Sequence, residues 1–515
     1  MKRRWKILIT AGIFLVLMAA SLMISMRVQP EREVDDYKKL LRDKGEKLEL
    51  SEVLPPAAVS DENSADSVQA AFSLMGSGIN NIPDHMKMVA PGKALVGARQ
   101  PDARGFDFTN SWEQFAATEE ANRPTIDLLH QVLDRPKLDF NLNYQKGFRM
   151  LLPQLASLKR SVQILDAAAI CELHEGDTAA ATTNILAMLA LVQRDYRDDL
   201  IISHLVRIAM ASIAVSPTWE LLQATNVTDA QLASLQKAWQ QMDFLSDAET
   251  VFTVERSVSD TSIVQSRGSH EAFKDTFGPV TSGGGLYGAS GGSSWADELE
   301  NMTAGPRSAV SEVMWRSSWS YSAELEMLQR NLVILETVRA MKTNATECYK
   351  TNYDQMTFKL STLGSTNAGG AFFRVLRIPD YREYFGGAGS LSSVLRKTLQ
   401  IETARRVVVT AIALKRHQLK YGGWPQTLEE LAPEFISTVP IDPNDGKPLI
   451  YRPNLDGTYL LYSVGADGMD DGGDAGSPTS SSGSTGWYWL RARDWVWPQP
   501  ATVAEIQYFY EHPPK

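Results

Sequence analysis

An uncharged apolar run near the start of the chain limits what the protein can fold into more than any other feature. Residues 7–26 carry no charged side chain, and four of the six residues before them are basic. A run of twenty residues, at about 1.5 Å each, matches the ~30 Å hydrocarbon core of a bilayer. Basic residues before an apolar segment predict that this end stays in the cytoplasm. The sequence therefore predicts a cytoplasmic stub at 1–6, a transmembrane signal-anchor at 7–26 and an extracytoplasmic remainder.

A cleaved signal peptide is the alternative interpretation of the same run. Ala19-Ala20-Ser21 offers the small residues that a signal peptidase site needs. The apolar run, however, continues through Leu22-Met23-Ile24 and is longer than a usual signal-peptide core. No cysteine lies in this stretch, which excludes lipoprotein processing. An uncleaved anchor is the favoured interpretation.

Composition and charge narrow the class of protein. The 515 residues are 43% apolar and 22% charged, which is typical of globular chains with two to four domains. The net charge of −10 and the absence of a Lys/Arg block after residue 6 argue against a nucleic-acid partner. The two cysteines, Cys171 and Cys348, form a disulfide in one interpretation, since an exported domain permits it. In the other they are two small buried hydrophobic side chains.

The region after the anchor, 27–110, is predicted to be a stalk helix followed by loop. Residues 31–47 are highly charged, and Tyr37, Leu40 and Leu41 form their apolar stripe. This pattern predicts a solvated helix that spaces the body from the membrane.

Residues 111–280 have the periodicity of a helical domain. From Leu155 to Ala169, apolar residues recur at alternating steps of three and four, which places them on one helix face. Gly176 and Asp177 then supply a C-cap and an N-cap. Two further helices are predicted before residue 225. No second copy recurs at a 34-residue period, so an irregular bundle is favoured over a tetratricopeptide array.

Two more segments separate this domain from the C-terminal module. Residues 281–307 are predicted to be a Gly/Ser-rich flexible loop. Residues 308–395 are predicted to form a helical segment and a linker. Trp315, Trp319 and Tyr321 cluster near its start, and we expect them to act as core or interface anchors.

Residues 396–500 are predicted to form a small α+β module, with 501–515 as a tail. An apolar helix face ends at Gly422-Gly423, and Thr427-Leu428-Glu429-Glu430 has the pattern of a capping box. Two β-prone runs, 447–452 and 458–464, are joined through Gly457 and predict an antiparallel hairpin. The aromatic segment 487–497 is expected to add a strand beside it.

Three strings in this module resemble the head of the major pseudopilin of type II secretion systems. They are His417-Gln-Leu-Lys-Tyr-Gly-Gly-Trp-Pro-Gln-Thr-Leu-Glu-Glu-Leu431, Val439-Pro-Ile-Asp-Pro443 with Gly446-Lys-Pro-Leu449, and Tyr462-Ser-Val-Gly-Ala-Asp-Gly468. The resemblance covers about 400–475. The anchor lacks the Gly-Phe-Thr-Leu-x-Glu motif of that family, so we do not expect this chain to be processed or assembled as a filament subunit.

An acidic loop follows the hairpin and is the candidate metal site. Asp467, Asp470, Asp471 and Asp474 lie among glycines, and clustered carboxylates repel one another unless they are solvated or bound to a cation. The hard oxygens suit Ca²⁺ in a structural role. The resemblance implies a calcium ion at this loop, held by Asp467 and one or both of Asp470 and Asp471. The sequence departs from the family after Asp474, and a solvated acidic loop is the alternative.

Catalytic motifs give little support to an enzyme. Gly288-Ala-Ser-Gly-Gly292 and the overlapping run of glycines from Gly283 match nucleophile-elbow and dinucleotide patterns, but without the strand and helix that these need. The seven histidines show no metal spacing. Glu119-Glu120 and Glu429-Glu430 are interpreted as exposed helix charges.

The sequence thus predicts a mainly α protein with an N-terminal transmembrane helix, an irregular helical bundle and a small C-terminal α+β module containing an antiparallel hairpin. We expect a single-pass protein of the bacterial inner membrane, with a cytoplasmic N-terminus and its bulk in the periplasm. The favoured function is a non-catalytic scaffold or binding protein with protein partners in the cell envelope. One alternative is an accessory component of a type II secretion or pilus-like apparatus, and another is an envelope hydrolase with an unrecognised site.

Overall fold

Helices dominate the part of the chain that the structure, a computed structural model, describes. It describes residues 28–75, 88–90, 93–94, 112–135, 137–193, 198–281, 309, 311–343, 348–363, 388–455, 457–474, 493–500 and 511. The predicted stub and anchor, the predicted Gly/Ser-rich loop after its first residue, and nearly all of the predicted tail lie outside the described residues.

Long helices follow one another along most of the described chain, and short strands pair near residue 90 and after residue 449. The helices are α1 (28–43), α2 (Leu50–Val53), α3 (Ala65–Leu74), α4 (Trp112–His130), α5 (Gln154–Glu175), α6 (Thr178–Gln193), α7 (Ile201–Gln223), α8 (Asp229–Gln240), α9 (Phe244–Ser266), α10 (His270–Thr281), α11 (Ser320–Thr343), α12 (Tyr349–Leu363) and α13 (Ala388–Tyr421). The strands are β1 (Met88–Ala90), β2 (Lys93–Ala94), β3 (Ile450–Pro453), β4 (Tyr459–Ser463) and β5 (Trp495–Val496). Short 3-10 helices cover Ser60–Glu62, Gln131–Leu133, Tyr144–Arg149 and Leu428–Leu431. β1 and β2 pair in a stretch that the sequence analysis takes as loop.

The predicted series of helices in the bundle is confirmed for α5, α6 and α7. Gly176 ends α5 in the left-handed conformation at φ 86°, which a residue with a side chain rarely adopts. The Asp177 carboxylate then accepts hydrogen bonds from the amides of Ala179 and Ala180 at 3.0 and 2.9 Å. The two caps explain why the chain turns back at this point.

The helix that the sequence predicts as a solvated stalk is docked on the body, so that prediction is wrong. Val34 and Leu41 of α1 are buried, at 3% and 0% exposure. Between them, Lys38 Nζ lies 2.8 Å from Asp260 of α9 and 2.6 Å from Glu324 of α11. The Lys38 ammonium group therefore lies in the interface of α1 with α9 and α11, and not on a solvent-facing surface.

A second ion cluster fixes the turn after α1. Glu46 is 6% exposed and its carboxylate lies 2.9 Å from Nη2 of Arg256, whose side chain is fully buried. Arg339 bonds the same carboxylate and also Glu249, at 2.7 Å. These pairs join α1, α9 and α11 into one layer, because a buried charge is tolerated only when opposite charges surround it.

The tryptophans near the start of α11 lie in a core, as predicted. Trp315 and Trp319 bound a π-helical turn and are both buried. Trp315 Nε1 donates to Ser266 Oγ at 2.9 Å, and its ring meets Phe277 edge-on with centroids 5.1 Å apart. The π turn thus lies where α9, α10 and α11 converge.

The long helix α13 joins the C-terminal module to the helical body. It begins within the predicted linker, crosses the predicted boundary at 395/396, and packs against α7, α8 and α9. Leu414 of α13, Leu461 of β4 and Trp495 of β5 belong to one hydrophobic core with Trp219 of α7 and Trp239 of α8. Burial of apolar surface along this joint holds the two parts together.

The predicted hairpin and the predicted added strand are both present. β3 and β4 are antiparallel, with Ile450 opposite Tyr462 and Pro453 opposite Tyr459. Gly457 has φ 81° in the connecting turn, and β5 pairs with β4. The predicted capping box is wrong, because the Thr427 side chain makes no cap hydrogen bond and Glu430 accepts the Gln426 amide instead.

One long helix of the body shares the apolar composition of the predicted anchor. Within the described residues, α7 alone is long and apolar enough to cross a membrane, with a mean hydropathy of 1.4. More than half of its most apolar window, 56%, is buried inside the protein. α7 therefore has the burial of a core helix.

The docking of α1 can be tested at adjacent lysines. Lys38→Met leaves Asp260 and Glu324 with one cation fewer in a partly buried site, so we expect unfolding to become easier by about 3 kcal/mol. Lys39→Met is the matched control, since Lys39 is exposed. Urea denaturation measures both changes, and limited proteolysis should cut α1 faster in the first variant. Equal effects of the two substitutions would contradict the docking.

Candidate functional site

The acidic loop lies directly after β4 and is held in place by its glycines. Gly465 has φ 69°, and a Cβ at this position would overlap the carbonyl oxygen of Arg493. The loop therefore passes against the segment that leads into β5. This contact brings 465–474 and 493–494 together, although nearly thirty residues separate Gly465 from Arg493.

The four candidate aspartates do not converge on a common point. Asp467 accepts the Met469 amide at 3.1 Å, which is a local turn. Asp470 accepts the Tyr462 hydroxyl at 2.8 Å and the Gly472 amide at 2.9 Å.

The remaining two aspartates face other groups. Asp471 lies 3.9 Å from Arg493, and the Asp474 amide points to Asp494. Within the described residues, no three His, Cys, Asp or Glu side chains are grouped so as to hold a metal ion. Each of the four aspartates is thus engaged with a different partner in the described residues.

A carboxylate that the sequence analysis did not select organises this loop. Asp494 is fully buried and accepts the amides of Asp471, Gly473 and Asp474 at 3.4, 2.8 and 3.1 Å. Burial raises the pKa of Asp494, and these amides oppose that rise by favouring the charged form. Three backbone N–H groups of the loop therefore bond one buried carboxylate, which fixes the inner side of the loop. The available signal in the sequence was an aspartate directly before the Trp495-Val496-Trp497 run.

Asp442 organises the other half of the module. It is 1% exposed, and its Oδ1 accepts the Asn444 amide and the Ser463 hydroxyl at 2.9 and 3.0 Å. Its Oδ2 accepts the Val464 amide at 2.9 Å. Burial raises the pKa of Asp442, and the amide and hydroxyl donors counter part of that rise. The Asp442-Pro443 element of the pseudopilin-like string thus has a structural role in this chain.

The two cysteines are free thiols in different surroundings. Cys171 is buried beside Phe115 and Ile170 in the contact between α4 and α5. The Cys348 thiol, just before α12, donates to the Asn444 carbonyl of the module. Cys171 therefore fits the interpretation of a small buried side chain, and Cys348 lies at a contact between α12 and the module.

A cavity between α4 and α5 is lined by several titratable side chains. It has a volume of about 220 Å³ and is bordered by Glu119, Glu120, Glu172, Glu175 and Arg123, among others. Arg123 lies 3.6 Å from Glu172, and burial raises the pKa of Glu172.

Two further observations at this cavity concern Cys171 and Glu119, which the sequence analysis also names. Burial, followed by the nearby glutamates, raises the pKa of Cys171 to about 12, so this thiol is a weak nucleophile. Glu119 is 6% exposed, which makes its prediction as an exposed charge wrong, whereas Glu120 is exposed as predicted.

The other sequence candidates for catalysis fall into three groups. The Gly283–Gly292 motifs lie outside the described residues. Glu429 and Glu430 are exposed, as predicted. His204 is buried between α7 and α13, where its Nε2 pairs with Thr398 Oγ1 at 2.9 Å, and burial lowers its pKa to about 3. His204 is therefore a neutral packing residue at physiological pH.

The fold and site together define a mainly α protein with a small three-stranded antiparallel sheet near its C-terminus. Comparisons with protein-family models, with curated proteins and with solved structures give no match for this chain.

The role of Asp442 can be separated from that of a neighbouring acid. In Asp442→Asn the new amide group faces the Val464 N–H, so two donors oppose each other and one buried acceptor is lost. We expect a loss of about 2 kcal/mol in the free energy of unfolding. Asp445→Asn is the matched control, because the contacts of Asp445 with the amide and the ammonium group of Lys447, at 3.0 and 3.7 Å, are both local. Denaturant unfolding that gives equal values for the two variants would contradict this account.

Calcium binding stays a prediction of the sequence and has its own test. If the acidic loop holds Ca²⁺, chelation should lower the melting temperature of the full chain, and Asp467→Ala should abolish that difference. Differential scanning calorimetry with and without chelator measures both. A melting curve that chelator leaves unchanged would contradict calcium binding by the acidic loop.

Proposed function

We propose that this chain is a membrane-anchored extracytoplasmic scaffold or binding protein whose C-terminal module presents a fixed surface to protein partners. The burial of α13 between the body and the module is the observation that carries the proposal. Gln236 of α8 donates to the Phe435 carbonyl at 2.6 Å, and Trp219 of α7 donates to the Pro498 carbonyl at 2.8 Å, both in buried positions. A module held in this way keeps one orientation relative to the body.

The faces of α13 that the body helices cover favour the role of a scaffold and not that of a filament subunit. The pseudopilin-like string begins within this helix, and the body helices α7, α8 and α9 pack against it. Arg406 on the same helix bonds the Ile441 carbonyl at 2.8 Å and Glu402 at 3.0 Å. The helix therefore serves internal contacts, which leaves the loops and the hairpin of the module for partners.

The module's buried carboxylates support a non-catalytic role. Asp442 and Asp494 are each surrounded by N–H or O–H donors of the module itself. Carboxylates engaged in this way hold loops in place, and proton transfer to a substrate would require these bonds to break. Within the described residues, no observation favours the envelope-hydrolase alternative.

Anchorage through residues 7–26 is part of the proposal. It rests on the length and charge flanks of that run, and on the docking of α1 that follows it. Together they predict a single-pass inner-membrane protein with a cytoplasmic N-terminus and a periplasmic bulk.

An accessory role in a type II secretion or pilus-like apparatus is the second candidate. The pseudopilin-like strings in residues 417–474 are the observation that favours it. This candidate differs from the first only in the identity of the partner.

Site-specific photo-crosslinking in cells tests the proposal and separates the candidates. A photoreactive residue replaces Leu455 at the hairpin turn or Met469 in the acidic loop, both exposed. Val59, an exposed position before α3, is the matched control. We expect discrete envelope-protein adducts from the two module positions and none of the same adducts from Val59. Secretion or pilus components among them support the second candidate, and identical patterns at all three positions contradict a contact surface on the module.

A further inference from the structure

The directions of α1, α9 and α11 show which of their ends lie together. Lys38 meets Asp260, whereas the later residue Glu46 meets Arg256, so α1 runs antiparallel to α9. Tyr321, in the first turn of α11, donates to Glu31 near the start of α1. The start of α1, the end of α9 and the start of α11 therefore lie at the same end.

The first residues of α1 lie at this end. Val28 lies ten residues before Lys38, or about 15 Å along the helix. The helical stretch 311–319, which leads into α11, lies at the same end, where Arg316 donates to the carbonyls of Arg267 and Gly268. We call the surface formed by residues 28–31, 145–151, 262–270 and 311–318 the proximal end.

The loop 145–151 is pinned to α9 and shares this end. A Cβ on Gly147, which has φ 54°, would overlap the Ser262 hydroxyl, so the loop backbone lies directly on the helix. The Phe148 amide donates to Ser262 Oγ at 3.1 Å, and Gln265 donates to the Gln145 carbonyl at 3.0 Å. These contacts fix the direction in which the loop side chains project.

Exposed apolar side chains are concentrated on the proximal end. They have exposures of 37% to 83% and come from four separate segments of the chain. They are Val28, Phe148, Leu151, Val264 and Val313. Apolar side chains exposed together from separate segments of the chain are typical of an interaction surface.

Basic side chains accompany these apolar ones. Lys146 is exposed in the pinned loop, and Arg149 in the same loop pairs with Asp275 at 2.9 Å. Arg316 is exposed in the π-helical turn before α11, where it lies 3.4 Å from the Glu312 carboxylate and donates to the Arg267 carbonyl at 3.3 Å. Cations therefore lie next to exposed apolar groups at this end, and two of them are paired with carboxylates.

We propose that the proximal end lies on the phospholipid surface of the membrane, with its apolar side chains at the headgroup level and its basic side chains facing lipid phosphates. The inference rests on the proposed anchor, since residues 7–26 end immediately before α1. Side chains that combine apolar stems with cationic heads suit the membrane interface. Lys146 favours anionic over neutral lipids, whereas Arg149 and Arg316 each lie beside a carboxylate.

The position of the module agrees with this orientation. The first residues of α9 and the last residues of α11 share a cluster with Tyr349, Leu395 and Leu399, which adjoin the module. α9 has 23 residues and so is about 33 Å long. The module is therefore held on the side of the body that faces away from the membrane.

Depth-dependent quenching tests the proposal with the full chain. In a Cys348→Ser background, Val313→Cys or Leu455→Cys carries an environment-sensitive fluorophore, and the buried Cys171 thiol reacts poorly. The labelled protein is reconstituted in mixed phosphatidylcholine–phosphatidylglycerol vesicles that contain nitroxide-headgroup lipid. We expect the label at 313 to shift to the blue and to lose fluorescence, and the label at 455 to do neither.

A charge-reversal pair tests the electrostatic part. Lys146→Glu should weaken quenching of the label at 313, whereas Lys237→Glu, an equal charge change at an exposed site on α8, should not. Equal quenching at 313 and 455 in protein that co-floats with the vesicles overturns the proposal while the anchor stands. Failure to co-float contradicts the anchor itself, and the proximal-end proposal with it.

Discussion

The structure depends first on the apolar joint along α13. Trp219 and Trp239 from the body meet Leu414, Leu461 and Trp495 from the C-terminal part, and all five are nearly inaccessible to water. Side chains of this size contribute strongly when buried, and neither part can cover them alone. The module and the helical body are therefore stabilised as one unit, and packing against the body fixes the orientation of the module's exposed loops.

Charge is used inside this protein as well as on its surface. Lys38, Glu46 and Arg256 connect helices, and Asp442 and Asp494 connect loops. For Glu324, burial opposes ionisation, but Arg267 and Lys38 outweigh it and lower its pKa. Such groups are costly when one partner is removed, so they favour one arrangement over alternatives more than they add net stability.

Local signals in the sequence predict a large part of the fold. Gly176 and Asp177 mark the turn between α5 and α6, and Gly457 marks the hairpin, because positive φ and capping are properties of a few neighbouring residues. The docking of α1 could not be predicted in this way. Lys38 has the pattern of a solvent-facing charge, and its partner Asp260 is 222 residues away. Sequence spacing carries no information about a pairing of that range.

The candidate site shows the same difference between local features, which the sequence predicts, and long-range contacts, which it does not. The glycines and aspartates of the acidic loop are visible in the sequence, but the role of Asp494 depends on the return of β5 to the sheet. The burial of Glu119 likewise depends on how α4 meets α5.

The parallel course of α1 and α11 has a mechanical consequence. A force that pulls on residue 28 acts along the axis of α1 and loads the contacts of Lys38, Lys44 and Glu46 in shear, all at the same time. A helix attached only by its last turn would instead peel away one contact after another. The helix α1 is thus attached in the geometry that best resists tension along its own axis.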